Sequence, residues 1–222
     1  MQFRKPELIP LLFMICAVTL LSALGVWQLQ RLQWKNGEIE KIEAAQEMPA
    51  LGTLPENLGG LEYRRVSLTG TYLNDKAMHM VGHPQDAGAG FYIVTPFELE
   101  DDGRVILVNR GFSPVGKESK PEGLQTLVGI IRPTRQKRYF SPDNQVDKNL
   151  WFYEDVGAMS QASGVTLTPL VVEAVGTVEK DVYPTPHDGK VSLRNDHMNY
   201  AITWFSLAAI GVVMFGFYQR KV

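Results

Sequence analysis

The residues best placed to do chemistry lie near the end of the chain. His197, Ala201, Trp204, Ala208 and Gly211 recur at i, i+4, i+7, i+11 and i+14, the spacing of one helical face. That face carries an imidazole at its start and an indole below it. The small residues that follow would let a flat macrocycle or a second helix approach closely. A plainer assignment of the same residues is interfacial anchoring by His197 and Tyr200, with helix–helix packing along the stripe. A complementary set occurs early in the chain, where Gln28, Arg31 and Lys35 share a face. There Arg31 can pair with an anionic group or snorkel to lipid phosphates.

Other combinations are weaker. Met78-His79-Met80 with His83 offers thioether and imidazole groups of the kind copper(I) prefers. In a strand, however, Met78 and Met80 point to one face and His79 to the other, so no metal site is expected. His187 falls in the Pro184–Gly189 loop, where exposure is the default. Asn109-Arg110-Gly111 is expected to end a strand in a turn, with Arg110 paired to a neighbour or touching a partner. Cys16 is the only cysteine and sits in an apolar run, which leaves no intrachain disulfide and no CxxC pair. The chain holds no P-loop, no GxGxxG after a strand, no HExxH and no GxSxG. No nucleophile or carboxylate pair converges in the sequence, so catalysis is not expected. With 22 basic against 24 acidic residues there is no cationic footprint for nucleic acid.

The elements that must position these residues are dominated by two uncharged apolar stretches, Leu8–Leu29 and Ala201–Tyr218. Each is long enough to cross roughly 30 Å of hydrocarbon as a helix. A cleaved signal peptide is the alternative for the first, but its apolar run is long and lacks a clear small-x-small cleavage site. Arg4, Lys5, Arg220 and Lys221 flank the spans and favour both termini in the cytoplasm and the central domain outside it, although Arg31, Lys35 and Lys41 follow the first span on its other side. The first span starts too near Met1 for an Arg-rich presequence, so a bacterial plasma (inner) membrane is the expected location.

The expected organisation is a transmembrane helix over 8–29, a helical extension and linker over 30–60, an extracytoplasmic β-rich domain over 61–196, and an interfacial start leading into the second transmembrane helix over 197–218. Pro49 should end the helical extension, and Leu51–Gly60 is Gly/Pro-rich. Strand patterns cover Arg65–Tyr72, Met78–Gly82, Phe91–Phe97, Val105–Arg110 and Leu124–Arg132, with later ones at Val171-Val172 and Val175–Val178. Asp102-Gly103 is the best hairpin signal, Asp86–Gly90 is a Gly-rich turn, and Asp155–Ser163 should form a short helix stopped by Gly164. The fold class is thus a membrane protein whose two transmembrane helices flank a mainly antiparallel β (α+β) extramembrane domain.

Several blocks then coincide with a known pattern. Gly25-Val26-Trp27-Gln28-Leu29-Gln30-Arg31-Leu32-Gln33-Trp34-Lys35 leaves the first span, and Asn195-Asp196-His197-Met198-Asn199-Tyr200-Ala201-Ile202-Thr203-Trp204-Phe205 opens the second. Together with Tyr63-Arg64-Arg65-Val66, Gly70-Thr71-Tyr72 and Val108-Asn109-Arg110-Gly111, they resemble the Surfeit-locus (Shy-type) family of cytochrome c oxidase assembly proteins across essentially the whole chain. Phe112 and Asp196 depart from the family's usual tryptophan and asparagine. The resemblance implies a non-enzymatic assembly factor for haem-copper cytochrome c oxidase, acting where haem a enters the largest subunit. Haem a would be a transient cofactor, with His197, Trp204, Tyr200 and Arg31 as the residues that bind it. The implied partners are oxidase subunits, other oxidase assembly factors and the lipid bilayer, with haem a synthase as a further candidate. The alternative is a purely structural chaperone or scaffold for oxidase subunits that never touches haem.

Overall fold

A computed structural model describes residues 7–82, 88–177, 179, 181–190, 193 and 195–220. In chain order the elements are α1 (Leu8–Glu47), β1 (Arg65–Tyr72), β2 (Met78–Met80), β3 (Gly90–Leu99), β4 (Val105–Pro114), β5 (Leu124–Arg132), β6 (Leu150–Trp151), α2 (Val156–Ser163), β7 (Leu167–Ala174) and α3 (His197–Tyr218). They form two bodies, a helical one from the two ends of the chain and a second one from the region between. Arg4, Lys5, His83, Asp86, Val178 and Lys221, used above for charge, metal, turn and strand assignments, lie outside the described residues.

In the helical body, α1 runs for 40 residues, so the apolar run continues unbroken into Gln33–Glu47. Pro49 follows two residues after its end, as the backbone restriction before proline requires. α1 and α3 are both long and apolar enough to cross a membrane. They run antiparallel: Asn36 bonds Asn195, Gln28 bonds His197, and Gly25 lies against the ring of Phe205.

In the second body, β1 pairs with β5, β5 with β7, β7 with β4, β4 with β3, and β3 again with β1, closing a five-stranded ring. Only the β4–β7 pair in that ring is parallel. The first half of β3 leaves β1 and pairs instead with β2, which carries β6 on its outer edge. Closure hides the strand edges that an open sheet would expose.

Strand alternation splits the apolar residues between two cores. Val66, Leu68, Phe97, Leu99, Ile106, Val108, Leu127 and Val172 fill the ring. Leu107 and Val171, the alternate residues of β4 and β7, pack outside it with Met78, Met80, Val94, Trp151 and Met159. α2 covers this second core. Asp155 caps its first turn by accepting from the Ala158 N–H, and Gly164 ends it with φ 71°.

Some elements differ from expectation. The late strands are one, Leu167–Ala174, while Val175 makes an isolated bridge to His187. Pro169 lies inside β7, and a proline within a strand run argues against a strand when only sequence is available. β4 does not stop at Arg110 but continues to Pro114. β6, at two residues, is too short to show a period.

Candidate functional site

The helical body brings a polar pair into an apolar setting. His197 opens α3, and its Nδ1 lies 2.7 Å from the Gln28 carboxamide oxygen. An amide oxygen only accepts, so Nδ1 carries a proton and donates it; in the neutral ring Nε2 is then the nitrogen that keeps its lone pair. Gln28 is itself buried. A hydrogen bond at one ring nitrogen that fixes the tautomer and orientation of the other is the usual support for a histidine acting as a metal ligand.

The rest of the helical stripe divides between two tasks. Ala201 and Ala208 are buried, Trp204 and Gly211 half-buried, and the residues between them mostly exposed. Ala201 and Ala208 thus turn to the inside of the helical body, while a side chain at Gly211 would meet open space. Tyr200 lies about 60° round from His197, exposed on the flank of that face. Because α1 and α3 are antiparallel, the residues three after Gln28 and three after His197 emerge on the same flank of the pair. Those residues are Arg31 and Tyr200. Arg31 is exposed, its guanidinium 4.3 Å above the Trp34 ring. The buried indole N–H of Trp204 has no acceptor among the described residues. Sequence reasoning placed Gln28 on a face with Arg31 and Lys35 but missed it as the partner of His197, because that bond joins residues at opposite ends of the chain.

The barrel holds the other candidates. Met78 and Met80 are buried in the outer core, while His79 turns to the opposite face. There it lies 3.3 Å from the Glu118 carboxylate and stacks on Phe91. The three side chains do not converge, and no group of three or more His, Cys, Asp or Glu suited to a metal occurs among the described residues. His187 is half-buried rather than exposed. Its Nδ1 accepts from the Gly189 N–H and lies 4.0 Å from the Glu173 carboxylate, which holds Arg132 at 2.7 Å.

Asn109-Arg110-Gly111 is strand rather than turn. The Asn109 carboxamide oxygen accepts from the Gly111 N–H; Gly111 adopts φ 108°, and the Thr185 carbonyl occupies the space a side chain there would need. Arg110 is buried. It donates to the Ser119 carbonyl at 2.9 Å and lies over the Tyr72 ring. Burial lowers the Arg110 pKa and raises that of Tyr72, and the charge of Arg110 partly offsets the shift on the phenol. The block therefore ties β4 to the 115–121 segment, a positioning role within the domain.

Comparison with known proteins agrees with this layout over nearly its full length. Residues 14–209 match the SURF1 family. The chain is 36% identical over 218 residues to a SURF1-like protein of Monosiga brevicollis, covering 89% of this chain and 83% of that one. It is 34% identical over 225 residues to Surfeit locus protein 1 of Takifugu rubripes, covering 90% and 92%. A SURF1-like protein of Rickettsia felis is 32% identical over 224 residues, covering 95% and 97%. With two apolar helices that flank a closed β domain in the sequence and with matches that span both, the chain belongs to the SURF1 family.

Proposed function

We propose that this protein is a membrane-anchored assembly factor for haem-copper cytochrome c oxidase, and that it holds haem a transiently on its way to the largest oxidase subunit. The observation that carries the haem step is the Gln28–His197 bond, which orients the ring and, in the neutral imidazole, leaves Nε2 as the nitrogen with a lone pair to donate. The orphaned Trp204 N–H, about two turns further along the same face of α3, would find an acceptor in a polar substituent of a bound group. In this assignment His197 would hold the iron, Trp204 and Tyr200 would border the macrocycle, and Arg31 would pair with its carboxylates. Haem supplies the redox-active iron that the oxidase needs. This chain's residues bind and orient the group and catalyse nothing.

The test is the absorption spectrum of the purified full chain made together with the haem a synthesis enzymes. A Soret band is expected. His197→Ala should shift that band and lower haem content, and Arg31→Ala should weaken retention only in part, since an exposed ion pair contributes little. An unchanged spectrum and content in His197→Ala overturns the ligand assignment.

A second reading, the structural chaperone or scaffold, draws on Ala201 and Ala208, which serve packing rather than an open groove. It predicts purified protein without haem, while cells lacking it still assemble less oxidase of normal turnover per haem. In either reading the barrel lies outside the cytoplasm of a bacterial inner membrane with both termini inside. A reporter active only outside the cytoplasm should therefore work when fused after Gly116 and fail after Val222, and the opposite pattern reverses the orientation.

A further inference from the structure

The most exposed aromatic side chains of the barrel body sit together on one loop. Tyr139 and Phe140 are 94% and 92% exposed, with their rings edge to face at 4.8 Å. They occupy the two central positions of a turn in which the Ser141 N–H donates to the Arg138 carbonyl at 2.9 Å. An apolar pair left so fully in water is unusual in a body whose other Phe, Tyr and Trp side chains are all buried or half-buried.

The loop is firmly built at its base. The buried Glu154 carboxylate accepts from the Arg135 N–H at 2.7 Å, and the Glu154 N–H donates to the Arg135 carbonyl at 2.9 Å. The Asn144 carboxamide receives the Phe152 N–H at 2.8 Å and donates to the Tyr153 carbonyl at 3.2 Å. Arg135 points its guanidinium inward over the Tyr92 ring, and Lys137 pairs with Asp143. Arg138, next to the aromatic pair, stays exposed. The segment Arg135–Asp143 thus carries three cations against one carboxylate, and Arg138, at the tip, has no carboxylate partner among the described residues.

We propose that this tip is a peripheral membrane anchor, in which Tyr139 and Phe140 enter the interfacial layer of the bilayer and Arg138 meets anionic headgroups. Aromatic side chains favour the headgroup level, and basic residues beside them add attraction to an anionic surface. A convex tip needs no matching pocket when its partner is a fluid interface. The two apolar helices of the same chain supply that interface at high effective concentration, so a weak anchor of this size suffices. The inference uses the membrane assignment of α1 and α3 and is independent of haem.

The experiment uses the full chain in lipid nanodiscs, either neutral phosphatidylcholine or phosphatidylcholine mixed with phosphatidylglycerol. A nitroxide is placed at Pro142→Cys in a Cys16→Ala background, which leaves the Arg138–Ser141 turn intact. Near-ultraviolet circular dichroism confirms that each variant is folded. The expected result is a label shielded from a water-soluble nickel chelate and accessible to oxygen in the anionic discs. That protection should weaken in neutral discs and be lost in Tyr139→Ser/Phe140→Ser. Nickel access in both lipids overturns the proposal and leaves the tip to a protein partner. Protection that is equal in the two lipids, or that survives the double serine variant, overturns it as well.

Discussion

In the barrel, Val66, Leu68, Phe97, Ile106 and Val108 are removed from solvent almost completely, and among the described residues the charged side chains other than Arg110 and Glu154 stay near the surface. In the helical body only 6% and 11% of the residues in the two apolar windows are buried, and the buried residues of α1 include Gln28, bonded to His197. The two bodies apply one rule to two solvents. Where water surrounds the chain, burying apolar surface is the driving force, and closing the ring completes it. Where hydrocarbon surrounds it, Leu and Val are already at home, and what gains from turning inward is close packing and a polar pair that lipid cannot satisfy. The same chain therefore uses small residues and hydrogen bonds to join helices and bulky apolar residues to fill strands.

The largest test of this contrast is a side chain at Gly111. Valine there meets the Thr185 carbonyl in a backbone conformation that β-branched residues avoid, so Gly111→Val should destabilise the barrel by about 3 kcal/mol or more. Denaturant unfolding of the barrel should register the loss while membrane insertion of the chain is unchanged. Loss of insertion as well would mean that the two bodies are not separable in this way.

A smaller effect is expected in the helices. Gln28→Leu and His197→Leu, combined in a double-mutant cycle, should give a coupling of about 1 kcal/mol when the full chain is titrated with SDS in mixed micelles. A coupling near zero would show that packing at Gly25, Ala201 and Ala208 alone holds the pair.

The smallest effect is a slope. Burial raises the Glu154 carboxyl above its ordinary range, opposed by the Arg135 N–H and the charge of that arginine. A raised folded-state value favours the protonated form in the folded protein. This group's stabilising contribution is then full below the ordinary carboxylate range and is lost as pH rises through the folded value. Glu154→Gln keeps an oxygen to accept from Arg135 and removes the titration. Its melting temperature should gain on the wild type as pH rises through that window, and parallel curves would show that Glu154 is already well solvated as an anion.

The elements that were legible beforehand are those with a local cause. Strand Arg65–Tyr72 shows period-two alternation with Val66 and Leu68 on one face, and Asp102-Gly103 turns between β3 and β4 with Gly103 at φ 70°. Asp155 and Gly164 bound α2 because cap and stop residues act within a turn of the helix they bound. The helical face of His197, Ala201, Trp204 and Ala208 was equally visible, since spacing alone places residues on a face.

What covers that face was not visible, because the answer lies some 170 positions away at Gln28. Parallel pairing of β4 with β7, closure of β1 on β3 and the approach of Thr185 to Gly111 likewise join distant segments. The sequence by itself determined which residues could be helix, strand or turn and which solvent each would tolerate, because those preferences belong to neighbouring atoms. Only the tertiary structure decided which side chains meet, because such pairing is a property of the closed chain and has no local period to betray it.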